Sequence, residues 1–307
     1  MQRRIVLLMA SALVVSVVGV APAAADGHDG GGTYLALGDS VAAGTQQPEP
    51  FTANSYANRL YRHLHDEYGF DNFVNLACPG DDTVEMISGI GGASPFGSLC
   101  YGPFAQLPPG GTSQLDAAVA YLGSHPGEVE LITITMGAND ILACNPNDPD
   151  VATCLAGQLG QIGANLPVII GTLQAVAPGV PIVAMNYYTP NLASWIIDPA
   201  LADAALSLTA PFNGTLEAVY GAFAVPVADV ETAFRTYNTS GAVPTNVRAV
   251  CKYTRMCEKQ GPGFVLSDYD PVTPGPQTDI HPSNKGYKKI ATTFAELIDD
   301  LGLLAGG

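Results

Sequence analysis

Short apolar runs rich in β-branched residues recur along the chain at Tyr34 to Leu37, Phe73 to Ala77, Val129 to Met136, Pro181 to Tyr187 and, more weakly, Val225 to Val230. Runs of this length without polar alternation predict strands buried on both faces. Between them the apolar positions recur at helical spacing. From Ser55 to Tyr68, for example, Tyr56, Leu60, Tyr61, Leu64 and Tyr68 fall on one face. The same periodicity predicts helices over Gln114 to Leu122, Leu155 to Val176, Pro199 to Phe223 and Ser283 to Leu304. Strands alternating with helices predict a doubly wound α/β domain, with a mainly parallel sheet covered on both faces. No linker divides the pattern, so residues 33–307 are expected to form one domain. Two stretches break the rhythm, the Gly- and Pro-rich Ser88 to Thr112 and the weakly periodic Thr232 to Gln277. In open α/β sheets such loops gather at the carboxyl ends of the strands, where ligands bind.

The start of the chain reads differently. Met1-Gln2-Arg3-Arg4 is followed by an uncharged run from Ile5 to Val20 and by Ala23-Ala24-Ala25 before Asp26. A basic start, an apolar centre and a small-residue cleavage site predict a signal peptide over residues 1–25, with 26–32 as a flexible tail. No later run reads as a bilayer span, so an exported monomer without a stable membrane anchor is expected. Charge narrows the partners. The chain carries 28 acidic against 12 basic residues, and phosphate contacts need clustered Lys and Arg, so no nucleic-acid partner is expected. Export also favours disulfides among the six cysteines. Sequential pairing is the simplest scheme: Cys78 with Cys100, Cys144 with Cys154, and Cys251 with Cys257. A zinc site is the alternative, although no Cys-x-x-Cys occurs.

Candidate chemistry sits at the strand ends. The first strand runs into Gly38-Asp39-Ser40, which can expose a serine hydroxyl at the edge of the sheet; the other reading is a turn capping the next helix. No G-x-S-x-G occurs, so the α/β-hydrolase nucleophile elbow is not supported. A serine nucleophile needs a base. Of the five histidines, His28 lies in the tail, His63 and His65 on a charged helix face, and His125 in a Pro-Gly turn. That leaves His281, just before the last helix. Acyl transfer also needs donors for the developing oxyanion. Gly80 follows the second strand and offers a backbone N–H without a Cβ in the way; Asn139 follows the third and offers a side-chain amide. An ordinary turn glycine and a helix N-cap pair are the plainer readings of these two positions.

In its Ser, Gly, Asn and His blocks, taken in that order, the chain resembles the GDSL, or SGNH, hydrolases. The resemblance runs from Gly38 to His281. It implies a three-layer α/β/α sandwich with a mainly parallel five-stranded sheet, and an esterase or lipase mechanism without metal or cofactor. It puts the nucleophile on Ser40 and the base on His281. The oxyanion donors are then the backbone N–H groups of Ser40 and Gly80 and the amide of Asn139. One departure stands out: the family's last block carries an Asp three residues before the His, and here that position is Thr278. Some secreted members use a backbone carbonyl instead, so a Ser40–His281 dyad oriented by the Thr278 carbonyl is expected, with Asp279 as the rival acid.

The substrate is less legible. Pro95, Phe96, Leu99, Tyr101, Phe104 and Leu107, together with Trp195-Ile196-Ile197, could line an acyl pocket or simply pack over the core. The expected activity is hydrolysis of lipid or short-chain carboxylic esters, phospholipase A among them. A carbohydrate O-acetylesterase and a non-catalytic secreted binding protein are the alternatives.

Overall fold

A computed structural model describes residues 31–90, 92, 100, 112–144, 148–257 and 279–304. The elements run β1 (Thr33–Gly38), α1 (Ser40–Ala43), α2 (Tyr56–Tyr68), β2 (Asn72–Asn75), α3 (Thr83–Ser88), α4 (Gln114–Ser124), β3 (Val129–Thr135), α5 (Ala138–Leu142) and α6 (Val151–Val176). They continue with β4 (Ile182–Met185), a 3-10 helix (Pro190–Ile196), α7 (Pro199–Ala222), β5 (Val227–Ala228), α8 (Val230–Ala233), α9 (Thr245–Tyr253), β6 (Thr254–Arg255), β7 (Asp279–Pro282) and α10 (Asn284–Leu301).

The five predicted strands form one sheet in the order β2-β1-β3-β4-β5, and every pairing is parallel. The central strands β1 and β4 are buried throughout, as their unbroken apolar runs require. Helices α2 and α10 pack on each other, and the rings of Tyr56 and Phe294 stack at 4.7 Å. A second group, α3, α4 and α6, packs together, with α7 against α6. The expected layered α/β architecture is therefore present. Within the chain order, β1 leads to β2 on one side, and the chain then crosses to β3 on the other. That reversal is the switch point at which open α/β sheets bind ligands.

Two features depart from the sequence reading. The stretch Thr232 to Gln277 contains α9, whose Val247, Ala249 and Val250 are buried. Its anchoring cluster, with Leu192, Ala193, Ala202 and Met256, comes from distant elements, so local periodicity gave little sign of it. Helix α6 corrects the expectation about membrane spans. Among the described residues it is long and apolar enough to cross a bilayer. Its Ile162, Leu166, Ile169, Ile170 and Leu173 are buried in the core. All six cysteines are paired, in the sequential order expected: Cys78–Cys100, Cys144–Cys154 and Cys251–Cys257.

Candidate functional site

Strand β1 ends in a turn that only glycine suits. Gly38 has φ +134°, and a Cβ there would lie 2.2 Å from the Thr135 carbonyl oxygen on β3. The turn is held by the Gln114 side chain, whose Oε1 accepts from Gly38 N at 2.6 Å while its Nε2 donates to Gly38 O at 3.0 Å. The same Nε2 reaches Asp81 Oδ2 at 3.0 Å, so one amide joins the β1 turn to the loop after β2. Gly38→Ala is expected to lower stability by about 2 kcal/mol or more, because strain and backbone overlap act together. A denaturant melt of the purified variant checks this; an unchanged midpoint would contradict the turn geometry.

Asp39 follows as the N-cap of α1. Its Oδ1 accepts from Val41 N at 2.9 Å and from the Thr135 hydroxyl at 3.2 Å, and its Oδ2 accepts from the Tyr187 hydroxyl at 2.6 Å. Burial pushes the Asp39 carboxyl up, while those donors and nearby His281 oppose the shift. With the cap made by Asp39, Ser40 stands as the first residue of α1. Its backbone N–H therefore has no acceptor within the helix.

The loop after β2 brings the second group. Gly80 has φ +91°, in a tight turn closed by Asp81 N on Cys78 O at 3.2 Å. Cys78 N in turn donates to Gly38 O at 2.8 Å, which ties this loop to the β1 turn. Asn139 arrives from the end of β3 and is buried. It is not a helix cap, since Gly137 holds that position in α5. Its Nδ2 donates to the Asp81 carbonyl at 2.7 Å. Asp140 braces the same loop from below, accepting from Thr83 N at 3.0 Å and from the Thr83 hydroxyl at 2.6 Å. Burial lifts its carboxyl to about 6 against the pull of those two donors.

His281 lies on β7, two residues after Asp279, the rival to the Thr278 carbonyl. Thr278 lies outside the described residues. His281 Nδ1 meets Asp279 Oδ1 at 2.6 Å. The sequence reading placed the two positions in a turn, where they diverge; in an extended strand, residues two apart point to the same side. A carboxylate only accepts, so Nδ1 carries the proton and Nε2 is left as the basic nitrogen. Burial alone would raise the Asp279 carboxyl, but hydrogen bonds and charge from His281, with the Gln47 N–H, bring it below its ordinary value. Among the described residues, the other histidines bond elsewhere: His63 to Asp299, His65 to the Phe70 carbonyl, and His125 to the Tyr121 carbonyl.

Ser40, Gly80, Asn139, Asp279 and His281 all line one cavity of about 710 Å3. Of the apolar wall expected, the described part, Trp195-Ile196-Ile197, does not line the cavity. Trp195 packs instead in the cluster around Met256, and Ile196 and Ile197 are exposed. Pro95, Phe96, Leu99, Tyr101, Phe104 and Leu107 lie outside the described residues. The wall described is made of Ala138, Ile141 and Leu142 from α5 and Ala205, Leu208 and Phe212 from α7. Gln114, Tyr187 and Arg255, which also shape the site, carried no motif by which the sequence could single them out.

The fold is found in solved hydrolases at low identity. A phospholipase A1 from Streptomyces albidoflavus NA297 superposes with a TM-score of 0.55 at 14% identity, over 87% of this chain and 99% of that one. An extracellular lipase from Streptomyces rimosus superposes with a TM-score of 0.52 at 16% identity, over 87% and 99%. A lipase from a goat rumen metagenome gives 0.51 at 16% identity, over 87% and 97%. No curated protein sequence matches the chain. The family model for GDSL-like lipases and acylhydrolases matches residues 36–289, a span that holds Ser40, Gly80, Asn139 and His281, and the chain belongs to that GDSL-like lipase/acylhydrolase family.

Proposed function

We propose that this protein is an exported serine hydrolase of carboxylic esters, acting through an acyl-enzyme on Ser40. The reading rests on one observation: Ser40, Gly80, Asn139 and the His281–Asp279 pair line a single cavity whose remaining wall is largely apolar. His281 Nε2 takes the Ser40 hydroxyl proton as Oγ attacks the ester carbonyl carbon. The N–H groups of Ser40 and Gly80 and the Asn139 amide stabilise the oxyanion. Asn139 uses one amide proton on the Asp81 carbonyl and has a second to give. As the tetrahedral species collapses, the bond to the alcohol oxygen breaks and His281 returns the proton to it. Water, deprotonated by the same nitrogen, then cleaves the acyl-enzyme and restores Ser40. Export is supported by the leader-like Met1 to Ala25 and by the pairing of all six cysteines.

The wall formed by α5 and α7 favours an acyl chain over a sugar, since aliphatic surface gains from leaving water. Hydrolysis of p-nitrophenyl esters from acetyl to palmitoyl tests this, together with labelling of Ser40 by a fluorophosphonate. Activity is expected to rise beyond the acetyl ester. In Leu208→Trp, kcat/KM for the longer esters is expected to fall about tenfold or more, with the acetyl ester little affected. Acetyl-only activity in the wild type would favour a deacetylase. No turnover of any ester, with Ser40 unlabelled, would favour a binding protein.

A further inference from the structure

The Asp279 carboxylate makes four hydrogen bonds, and they divide between its two oxygens. Oδ1 accepts from His281 Nδ1 at 2.6 Å and from the His281 backbone N–H at 3.0 Å. Oδ2 accepts from Gln47 N at 2.9 Å and from Arg255 Nη1 at 2.9 Å. Arg255 stands opposite Asp279 in the antiparallel pairing of β6 with β7, and its Nη1 also donates to the Gln47 carbonyl at 2.8 Å. The side chains of Asp279, His281 and Arg255 are 1%, 12% and 19% exposed, so their charges interact with little screening.

We propose that Arg255 is a positioning residue, which locks the Asp279 carboxylate toward His281 and shares its negative charge. The inference rests on the reading of Ser40 and His281 given above. The terminal torsion of an aspartate is broad, so an acid only two residues before its histidine needs its outer oxygen held if the inner one is to stay on Nδ1. Arg255 and the Gln47 N–H hold that oxygen from two separate segments. Arg255 itself lies between the bridged Cys251 and Cys257, on a strand that the disulfide ties back to α9. The guanidinium also tempers the electrostatics. Asp279 alone would stabilise the imidazolium strongly and make His281 slow to give up its proton; a cation on the far oxygen offsets part of that pull. Among the described residues, the other titratable groups around the pair are Asp39 beyond His281, Tyr188, which donates to the Ile280 carbonyl, and Tyr287 from α10. The three form no ion pair with the Asp279 outer oxygen among the described residues, where Arg255 does.

Full-length Arg255→Met, Arg255→Gln and Arg255→Lys test the proposal through pH profiles of kcat/KM and an NMR titration of the His281 ring. With the cation gone, Met and Gln are expected to move the acidic limb and the His281 titration to higher pH by about one unit. In Met, which also loses the hydrogen bond, kcat should fall at least about tenfold with KM little changed. Lys is expected to return the limb to its wild-type position. A folded Met or Gln variant whose limb and His281 titration stay put overturns the proposal, even if its kcat is lower, because a purely structural role would leave the titration alone. If Met fails to fold, Gln decides by the same criterion. Fluorophosphonate labelling of Ser40 in each variant separates the two readings: labelling that persists with an unmoved titration sinks the role of Arg255 alone, whereas no labelling in the wild type sinks the ester-hydrolase reading.

Discussion

Ser40→Ala is expected to lower kcat on p-nitrophenyl esters by about 10⁶, equivalent to about 8 kcal/mol of transition-state stabilisation. The size follows from the covalent route. Without Oγ there is no acyl-enzyme, and what remains is binding plus oxyanion stabilisation, which in the serine-protease template leaves only a small residue of catalysis. Stability should barely change. Asp39, which caps α1, and Gln114, which holds the Gly38 turn, are untouched by the substitution, and Ser40 is only partly buried. Steady-state kinetics beside a thermal melt therefore separate loss of chemistry from loss of fold. A variant that keeps even a tenth of wild-type turnover would remove Ser40 as the nucleophile.

Asp279→Asn is expected to cost about 10⁴ in kcat, as the equivalent change does in the serine-protease template. The asparagine amide can turn its NH2 toward Nδ1 and so favour the wrong imidazole tautomer. The ion pair between Arg255 and Asp279 is lost in the same step. The pH dependence of stability carries a second signature. Because the folded-state value of Asp279 lies below its ordinary value, its contribution is fully present above the unfolded-state value and is lost as pH falls through the folded one. Wild type should thus lose stability on the acid side more steeply than Asp279→Asn, a difference read from urea midpoints across that range. Near-wild-type turnover in Asp279→Asn would instead favour a dyad oriented by a backbone carbonyl.

The parts of the protein legible from one dimension are those built from near neighbours. Buried parallel strands announce themselves as largely apolar runs rich in β-branched residues, and Tyr34 to Leu37 and Val129 to Met136 became the adjacent strands β1 and β3. Ser40, Gly80 and Asn139 were legible because each follows a strand, and a parallel sheet brings all its carboxyl ends to one edge. The disulfides were legible because each closes a short loop.

Contacts between distant segments were not legible. Gln114 lies 76 residues from the Gly38 peptide it clasps, and nothing local distinguishes it from any other glutamine at a helix start. Ala205, Leu208 and Phe212 are ordinary positions in an apolar helix until α7 packs beside the cavity. The orientation of His281 turned on the backbone itself. Asp279-Ile280-His281 read as a turn separates the carboxylate from the imidazole, whereas β7 as an extended strand puts both on one side. That strand forms by pairing with the two-residue β6, which no propensity could have signalled, and the same pairing sets Arg255 against the acid. The sequence by itself determined which chemical groups are present and which strand ends carry them. Their partners were decided only by the tertiary structure, because hydrogen bonds across strands and loops depend on register and distance rather than on order along the chain.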